Sequence, residues 1–465
     1  MYSHRIFRAI LSLALLLTLS GFTLKACTRA PVEATKPVTL NWWRVFDDTD
    51  TVAPAIDAFK KLHPNITVNY RRLRFEEYEE ELVNALAEDR GPDILSLHNT
   101  WITKYQQKLL PSPASLTLPF TFIKGSIKKE VVTELRKVPV LSPQAVRNQY
   151  LDVVGNDVIR PEIVTPNEPP QEKIIALPLS VDTLALYYNR DLLNASGIPE
   201  PARVWSALQE QVKRLTKTQS SAILQAGVAL GTSVNVPRAT DILSLLMMQN
   251  GAEMTDDRGF ATFDRIPAHL NDRQVAPADE ALAFYTDFAN PAKEVYTWNA
   301  TLPDALELFI QGRLAYFFGY SYHLPLIRAR APKLRFGVTR MPQIEENPEV
   351  NFANYWVEAV TKKTKNPNEA WGFLQFLAEE KQVREYLTRA GRPPALRALI
   401  PEWSEDANLG IFTQQLLTAK SWYRGLNPAG AERIINEMID TVARGEEEIP
   451  RVIQRAVSRI NQTIR

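Results

Sequence analysis

The chain has 465 residues, of which 45% are hydrophobic and 23% are charged, an ordinary composition for a globular protein. Its length is more than one small domain requires, since domains average roughly 150 residues. Fifty-four basic and 53 acidic residues leave a net charge of +1, so no overall field favours nucleic acid or a strongly acidic partner. We therefore expect no nucleic-acid partner.

The segment 1–26 has the pattern of a secretory signal peptide. Basic residues precede the apolar run Ala9–Leu19, which is too short for a membrane-spanning helix. Cys27, the single cysteine of the chain, follows directly in the sequence Leu-Lys-Ala-Cys. This resembles the bacterial lipobox, whose cysteine is lipidated, although Lys25 stands where a small residue is preferred. We predict a lipidated tether over residues 27–37; the alternative is a leftover thiol near a cleavage site.

Strands and helices alternate in the stretch that follows the tether. Val38–Arg44 and Ile66–Leu73 alternate apolar and polar residues like strands, and Asp93–Leu97 resembles a buried strand. A helix that contains Pro54 lies between the first two, and Phe75–Ala87 forms the second helix. This βαβαβ series predicts a parallel sheet with right-handed crossovers.

Three loops at the ends of these strands are candidates for a binding site, because ligands bind beyond the carboxyl ends of strands in open α/β sheets. Their aromatic rings can stack on CH surfaces, while their carboxylates and amides can bind hydroxyl groups. We expect Trp42 to point inward and Trp43 to face the site; the alternative is that both lie in the core and the acidic residues are only solvated. The candidates are Trp43, Phe46, Asp47, Glu76, Tyr78, Asn99, Thr100 and Trp101.

Residues 111–171 show no clear period apart from one helix predicted over Ser142–Val153. The stretch Lys173–Leu193 follows, in which the apolar runs Ile174–Leu179 and Leu184–Tyr188 flank a polar pair that includes Asp182. Two strands around a polar kink could carry the chain from one lobe to another. Asp182 is either a ligand contact or a cap for the kink.

The rest of the chain is predicted to be mostly helical, with strands between the helices. Trp298 lies on a loop before a predicted helix, and Tyr320 and Ser321 follow a predicted strand; each could be a packed surface residue. The predicted helices are Val204–Leu215, Thr240–Asn250, Asp279–Phe288, Leu302–Gln311, Asn368–Ala378, Ala431–Val442 and Ile449–Ile464, and the predicted strands are Leu314–Phe318, Leu334–Val338 and Phe352–Val360.

Several stretches resemble, in order, the family 1 extracellular solute-binding proteins, the maltose-binding-protein-like partners of ABC importers. The resemblance covers about residues 38–460. It differs from the family at Tyr320, where a tryptophan is common, and at Asn354, Tyr355 and Trp356, where the family is usually rich in glycine. The matching stretches are HPNI, GPDIL, KIIALPLSVDTLALYYNRDLL, ALELFIQGRLAYFFGYSYHLP, NEAWGFLQFL and GRPPAL.

The resemblance implies an α/β, two-lobed periplasmic-binding-protein-like fold whose discontinuous lobes are joined by three hinge crossovers, near Lys173–Leu193, Phe352–Val360 and Gly391–Leu396. The first lobe would comprise 38–182 and 355–391, and the second lobe 183–354 and 392–465. The ligand contacts implied at the cleft, beyond those of the first lobe, are Asp182, Trp298, Tyr320, Ser321, Trp356 and Arg392.

The function implied is that of an extracytoplasmic substrate-binding component of an ABC importer, anchored to the membrane as a lipoprotein. It would bind a saccharide by hinge closure, act as a monomer and dock on a membrane permease outside this chain. We expect no catalysis, cofactor or metal site: the five histidines form no pair at ligand spacing, and no P-loop or G-x-G-x-x-G is present. The alternatives are a secreted glycoside-active enzyme and a lipid-anchored sensor or adhesin without transport.

Overall fold

The computed structural model describes residues 36–126, 129–163, 168–220 and 222–465. The predicted signal peptide and Cys27 lie outside these residues. None of the helices in the described ranges combines the length and the apolar character needed to cross a membrane.

Strands and helices alternate along most of the described chain. The strands are β1 (Val38–Val45), β2 (Ile66–Leu73), β3 (Ile94–His98), β4 (Leu109–Leu110), β5 (Leu116–Lys124), β6 (Glu130–Val138), β7 (Ile159–Glu162), β8 (Gln171–Ile174), β9 (Asp182–Thr183), β10 (Ala185–Asn189), β11 (Lys217–Gln219), β12 (Ala222–Val228), β13 (Leu314–Gly319), β14 (Phe336–Thr339), β15 (Asn351–Asn354), β16 (Trp356–Thr361) and β17 (Ala419–Lys420). The helices are α1 (Thr49–Leu62), α2 (Phe75–Ala87), α3 (Ile102–Tyr105), α4 (Pro143–Gln149), α5 (Asp152–Val158), α6 (Arg190–Ala195), α7 (Trp205–Leu215), α8 (Ala239–Gln249), α9 (Pro277–Asp287), α10 (Ala305–Ile310), α11 (His323–Arg330), α12 (Pro367–Leu377), α13 (Glu380–Ala390), α14 (Ile400–Ser404), α15 (Gly410–Thr413), α16 (Pro428–Ala443) and α17 (Ile449–Asn461).

The first lobe is built on a five-stranded sheet in the order β2-β1-β3-β16-β4. β1 pairs in parallel with β2 and with β3, as the βαβαβ pattern predicts. β16 returns late in the chain and runs antiparallel to β3. The carboxyl ends of β1, β2 and β3 therefore share one edge of the sheet, and the loops that follow them meet there.

The second lobe has its own five-stranded sheet in the order β11-β12-β13-β10-β14. β12 and β13 are parallel, whereas β10 runs antiparallel to both of its neighbours, β13 and β14. The buried side chains form two hydrophobic cores, one for each lobe. The predicted two-lobed α/β fold is thus confirmed.

A small three-stranded sheet, β17-β15-β9, joins the lobes. β15 pairs antiparallel with β9, so the first two predicted crossovers lie side by side. The third passage lies further along the chain than Gly391–Leu396, because Ala395, Leu396 and Leu409 belong to the core of the first lobe. The chain reaches the second core between Phe412 and Trp422. The predicted lobe boundary at residue 392 is therefore wrong.

Residues 111–171, whose sequence shows no clear period, contain regular strands and helices in their described part. β5 and β6 form a long hairpin, paired from Leu116–Val138 to Lys124–Glu130. The predicted helix Ser142–Val153 is two short helices, α4 and α5, because the backbone is extended at Tyr150. The predicted strand Ile174–Leu179 is mostly irregular, and only its first residue belongs to a strand, β8.

Candidate ligand-binding cleft

The carboxyl edge of the first sheet carries a group of contacting aromatic rings, which we call the aromatic wall: Phe46, Phe75, Trp101 and Trp356. Phe46 stacks on Phe75 with 5.9 Å between ring centroids, and both rings meet the edge of Trp356 at 5.7 and 6.2 Å. Trp101 contacts Trp356 at 5.5 Å. Phe46 is 50% and Phe75 48% exposed, so the wall is open to solvent, and Glu76 is exposed next to Phe75 on α2. Such rings suit the CH faces of a polar ligand.

The backbone at Phe46 has an unusual conformation. Its φ is 73°, a left-handed value that is uncommon for a bulky residue. The amide of Asp47 donates to the carbonyl of Val45 at 3.0 Å, which makes Phe46 the centre of a γ-turn. The turn ends β1 and projects the exposed ring into the aromatic wall. Strain of this kind, held by the surrounding fold, is typical of functional sites.

The second lobe presents a tyrosine and a charged pair. Tyr322 is 52% exposed and stacks on the buried ring of Tyr320 at 5.9 Å. The hydroxyl of Tyr320 donates to Asp241 Oδ2 at 2.6 Å, and Arg238 binds the same carboxylate through two N–H groups at 2.7 and 2.9 Å. Although burial opposes it, Asp241 raises the pKa of Arg238, so the guanidinium stays charged. The Arg238 N–H groups are held in place by the Asp241 carboxylate, which satisfies only part of their hydrogen-bonding capacity.

A chain of polar contacts connects the two lobes at the base of the cleft. His98, in β3, contacts Asn354 through Nε2 at 3.2 Å, and Asn354 lies opposite Asp182 in the pairing of β15 with β9. Asp182 Oδ2 then accepts from the amide and the hydroxyl of Ser321 at 2.9 and 2.7 Å. Burial raises the pKa of Asp182 to about 6, against the opposing effect of the Ser321 hydrogen bonds.

His98 of the first lobe and Arg238 of the second lobe are close enough to influence each other electrostatically. Burial, reinforced by the Arg238 guanidinium of the other lobe, lowers the pKa of His98 to about 4. The neutral ring can donate from Nε2 to Asn354 while Nδ1 accepts from the Thr100 hydroxyl at 2.8 Å. The His98 ring also lies 5.7 Å from that of Trp356. His98 therefore contacts the aromatic wall on one side and feels the Arg238 charge of the other lobe.

Asp47 and Arg392 pair with each other inside the first lobe instead of facing a ligand independently. The Asp47 side chain is only 5% exposed, and Arg392 Nη2 donates to its Oδ1 at 2.8 Å. Its Oδ2 lies 2.9 Å from Arg44 Nη1 and accepts from the Tyr386 hydroxyl. Arg44 Nε is 3.0 Å from Glu358 Oε1, which completes a network of two cations and two anions. The prediction that Asp47 contacts ligand is wrong, because both of its oxygens are already bound; Arg392 is one-quarter exposed.

Asn99 belongs to a second buried network, centred on Asp157 of α5. The Asp157 side chain is 2% exposed and accepts from Asn99 Nδ2 at 3.2 Å and from the Tyr355 hydroxyl at 2.7 Å. It also accepts from Ser421 Oγ at 2.8 Å and Arg424 Nε at 2.9 Å, both on the segment that leads into the second lobe. This network joins the lobes beneath the cleft, so Asn99 positions the connection and is not at the ligand surface.

Trp43 and Tyr78 are also buried, contrary to prediction. Trp43 is 9% exposed, because Arg71 lies over its ring at 4.7 Å, and Trp42 is fully buried on the opposite face. Tyr78 has no exposed surface and donates its hydroxyl to the carbonyl of Ser96. A parallel sheet is covered on both faces, so strand alternation could not place one tryptophan at a site.

In the second lobe, Trp298 and Tyr320 lie in the core. Neither has any exposed surface. The indole N–H of Trp298 donates to Thr232 Oγ1 and Asn235 Oδ1 at 3.1 and 2.9 Å. Tyr320 supports Tyr322 and Asp241, as described above. Both predicted ligand contacts are therefore packing and positioning residues.

Five residues of the cleft were absent from the predicted set. Phe75 and His98 each lie within one or two residues of predicted ones, and the position of strand ends could have found them. Tyr322 occupies, with Tyr320 and Ser321, the place that lines the cleft in the family that the sequence resembles, but it was not among the predicted ligand contacts. Asn354 was noticed only as a departure from the family pattern. Arg238 had no signal in the sequence: its place beside the cleft depends on its left-handed φ of 61° at the start of α8.

The described residues contain no group of three or more His, Cys, Asp or Glu side chains arranged to hold a metal ion. The cleft thus offers aromatic surface and hydrogen-bonding groups. A family model for bacterial extracellular solute-binding proteins matches residues 47–384. The chain belongs to this family.

Two relatives show how far this solute-binding protein has diverged. It is 20% identical over 369 residues to a protein of Brucella abortus (strain 2308) named as a binding protein, with 78% of this chain and 77% of the relative covered. It is 22% identical over 243 residues to the multiple sugar-binding protein of Streptococcus mutans, with 51% of this chain and 54% of the relative covered.

Solved structures share the fold of the solute-binding protein. A solute-binding protein of Thermotoga lettingae, bound to α-D-tagatose, matches with a TM-score of 0.64 at 19% identity, over 92% of this chain and all of that one (100%). The cyclic α-maltosyl-1,6-maltose-binding protein of Arthrobacter globiformis matches with a TM-score of 0.68 at 16% identity, over 92% and 99%. Family membership implies a location outside the cytoplasm, and the family and its solved neighbours are binding proteins.

Proposed function

We propose that this chain is the substrate-binding component of an ABC importer and that it binds a sugar or oligosaccharide between its lobes. The observation that carries the proposal is the exposed aromatic wall of the first lobe, at the strand ends from which His98, Asn354 and Asp182 lead to Ser321 of the second lobe. The sugars bound by the Streptococcus and Thermotoga relatives support the same ligand class.

The chemistry of the two walls suits a hydroxyl-rich ligand. Phe46, Phe75 and Trp356 provide flat apolar surface for the CH faces of a sugar ring. Tyr322 and the Arg238–Asp241 pair provide a hydroxyl, N–H donors and a carboxylate on the other side.

The proposed mechanism is hinge closure. β9 and β15 run side by side between the lobes, and the third passage follows at Phe412–Trp422. A ligand shifts the lobes toward the closed form only through the additional contacts it makes there. Because a single chain carries both walls, we propose that it works as a monomer that presents its closed form to the permease.

A thermal-shift screen of the purified protein over saccharides, polyols and amino acids tests the ligand class. A ligand at 100 times its Kd adds about 2.7 kcal/mol to the free energy of unfolding, which is readily measured. We expect saccharides to raise the melting temperature, and titration calorimetry to show saturable binding without product. A shift with amino acids but with no saccharide would overturn the assignment, and release of product sugars would indicate a glycoside-active enzyme instead.

Two alanine variants test the site. Trp356→Ala removes the ring that all other members of the aromatic wall contact, and we expect saccharide affinity to fall at least tenfold. Phe122→Ala, a partly buried aromatic on the β5–β6 hairpin, is the matched control and should bind as wild type does. Equal affinities for the two variants would show that the ligand does not use the aromatic wall.

We also propose that Cys27 carries the lipid that anchors the protein to the membrane. The support is its position directly after the apolar run of the signal sequence. Fractionation of cells that express wild type or Cys27→Ser measures this. Wild type should sediment with membranes and acquire labelled fatty acid, whereas a variant with unchanged distribution and labelling would refute the anchor.

A further inference from the structure

The β5–β6 hairpin carries an apolar face that the rest of the described chain leaves uncovered. Ile123 and Val131 are direct partners in the hairpin register and are 66% and 76% exposed. Leu135, four residues after Val131 and on the same face, is 49% exposed. We call these three residues the outer apolar face. Large aliphatic side chains clustered in this way mark an interaction surface.

The opposite side of the hairpin is held by the first lobe. Leu116 and Leu118 are buried, and Leu118 packs close to Gly372 of α12. The carbonyl of Pro119 bonds His63 Nδ1 at 2.6 Å, and Phe120 contacts the His63 ring at 4.4 Å. The base of the hairpin is thus fixed to the end of α1, so its outer apolar face has a defined direction.

Two lysines accompany this apolar face. In the hairpin register Lys137 lies on the same face, two residues after Leu135, and Lys129 directly precedes β6, whereas Lys124 and Arg136 lie on the opposite face with Glu130 and Glu134. The whole chain is almost neutral at +1. Aliphatic side chains flanked by lysines are the pattern of a segment that enters the boundary of an anionic bilayer, with the ammonium groups at the lipid phosphates.

The described chain begins close to the residues that hold the hairpin. The described chain starts at Lys36, whose carbonyl accepts from Asn65 Nδ2, and the amide of Val38 donates to the carbonyl of Asn65. Asn65 lies two residues after His63, the residue that holds the hairpin. Tether and hairpin therefore leave the fold at the same amino-terminal edge of the first sheet, opposite the cleft.

We propose that the outer apolar face and its lysines dock on an anionic lipid surface and hold the cleft edge of the first lobe away from the membrane. The part of this argument that uses the tether rests on the proposed lipid anchor. A second copy of the chain is disfavoured because three aliphatic side chains on a two-stranded ribbon fall well short of the roughly 800 Å² per partner of a stable interface. Protein interfaces are also centred on aromatic and arginine anchors, which this face lacks.

The test uses a chain that begins at Thr28, which retains every residue of both cores and has no site for acylation. It is mixed with sucrose-loaded vesicles of phosphatidylcholine and phosphatidylglycerol at a ratio of 3:1, or of phosphatidylcholine alone, and sedimented. We expect binding to the anionic vesicles that weakens at high salt. The double variant Ile123→Asp/Val131→Asp should lose at least fivefold in partitioning, whereas Leu224→Asp/Val275→Asp, at two aliphatic residues of the second lobe that are 47% and 45% exposed, should not.

This shortened chain lacks cysteine, so a single Ile123→Cys variant can be labelled with an environment-sensitive fluorophore. Its emission should shift to the blue on anionic vesicles, while the same label at Leu224→Cys stays unchanged. Equal sedimentation of both double variants, an unchanged label at position 123, or a dimer dispersed by Ile123→Asp/Val131→Asp would each overturn the proposal. Saccharide binding is measured in the same samples. If it is intact while vesicle binding is absent, the docking proposal fails and the proposed function stands.

Discussion

Replacing Asp157 with asparagine tests whether the buried network beneath the cleft holds the two lobes together. Asp157 and Asp152 lie on the same short helix, α5, and each forms an ion pair with a distant arginine. The Asp157 side chain is 2% exposed and pairs with Arg424, whereas that of Asp152 is 80% exposed and pairs with Arg397. Asp152→Asn is therefore a matched control for the same chemical change on the same element.

The expected magnitudes differ because the surroundings differ. Asp157 accepts four hydrogen bonds. In Asp157→Asn the NH₂ group replaces one of the two oxygens, so at least one present donor would face another donor in place of an acceptor. Breaking a buried ion pair costs about 3–5 kcal/mol, and we expect the lower end since Arg424 is 29% exposed. Asp152→Asn removes a surface pair worth at most about 1 kcal/mol.

Urea unfolding followed by circular dichroism measures both variants. With unchanged m values, the midpoint of Asp157→Asn should fall by the equivalent of about 3 kcal/mol, and that of Asp152→Asn by no more than about 1 kcal/mol. If the two variants lose the same free energy of unfolding, the network does not connect the lobes as the contacts indicate. If Asp157→Asn changes only the m value, the substitution acts on the denatured state and not on the network.

Three further predictions concern the cleft and its support. Trp298→Ala should lower the free energy of unfolding by about 3–5 kcal/mol in urea titrations yet leave the saccharide affinity of the folded protein unchanged, because the indole is fully buried; a selective loss of affinity would return Trp298 to the binding site. Phe46→Gly should be about 1 kcal/mol more stable than Phe46→Ala in thermal denaturation, because strain of about 1–3 kcal/mol at a φ of 73° outweighs the entropy cost of glycine; the reverse order would show that the turn is unstrained. Burial raises the pKa of Asp182 to about 6, so the folded protein binds this proton more tightly than the unfolded chain does. The free energy of unfolding of the wild type should therefore fall, relative to that of Asp182→Asn, as the pH rises from about 4 to about 6. Parallel pH profiles for the two proteins would contradict this.

The aromatic wall and the buried charges beneath it have different tasks. Phe46 is exposed and Trp356 is partly exposed, while Arg44, Asp47 and Glu358 lie behind them as buried ion pairs. A buried network of this kind contributes little net stability but fixes the geometry of the strand ends that carry the wall. Substitutions in the network should therefore change ligand affinity through the position of the wall rather than through lost contacts.

Local patterns in the sequence were sufficient for the architecture. The alternation of Ile66–Leu73, the acidic start of Phe75–Ala87 and the apolar run Asp93–Leu97 predicted the βαβαβ order, because side-chain period and helix ends are local properties. The hairpin at β5–β6 was missed for the same reason: its inner face packs on α1 and α12, so its burial pattern depends on distant residues.

The choice of residues at the cleft was made by the tertiary structure. Asp47 lies in the predicted loop, but Arg392 and Tyr386 take its carboxylate, and no local pattern encodes partners that lie so far along the chain. Arg238 reaches the cleft from the other lobe through a left-handed backbone. The sequence by itself determined which strand ends meet at the candidate cleft, because periodicity is local. Which side chains there remain exposed was decided only by tertiary contacts, because each polar group is either paired or exposed according to what folds against it.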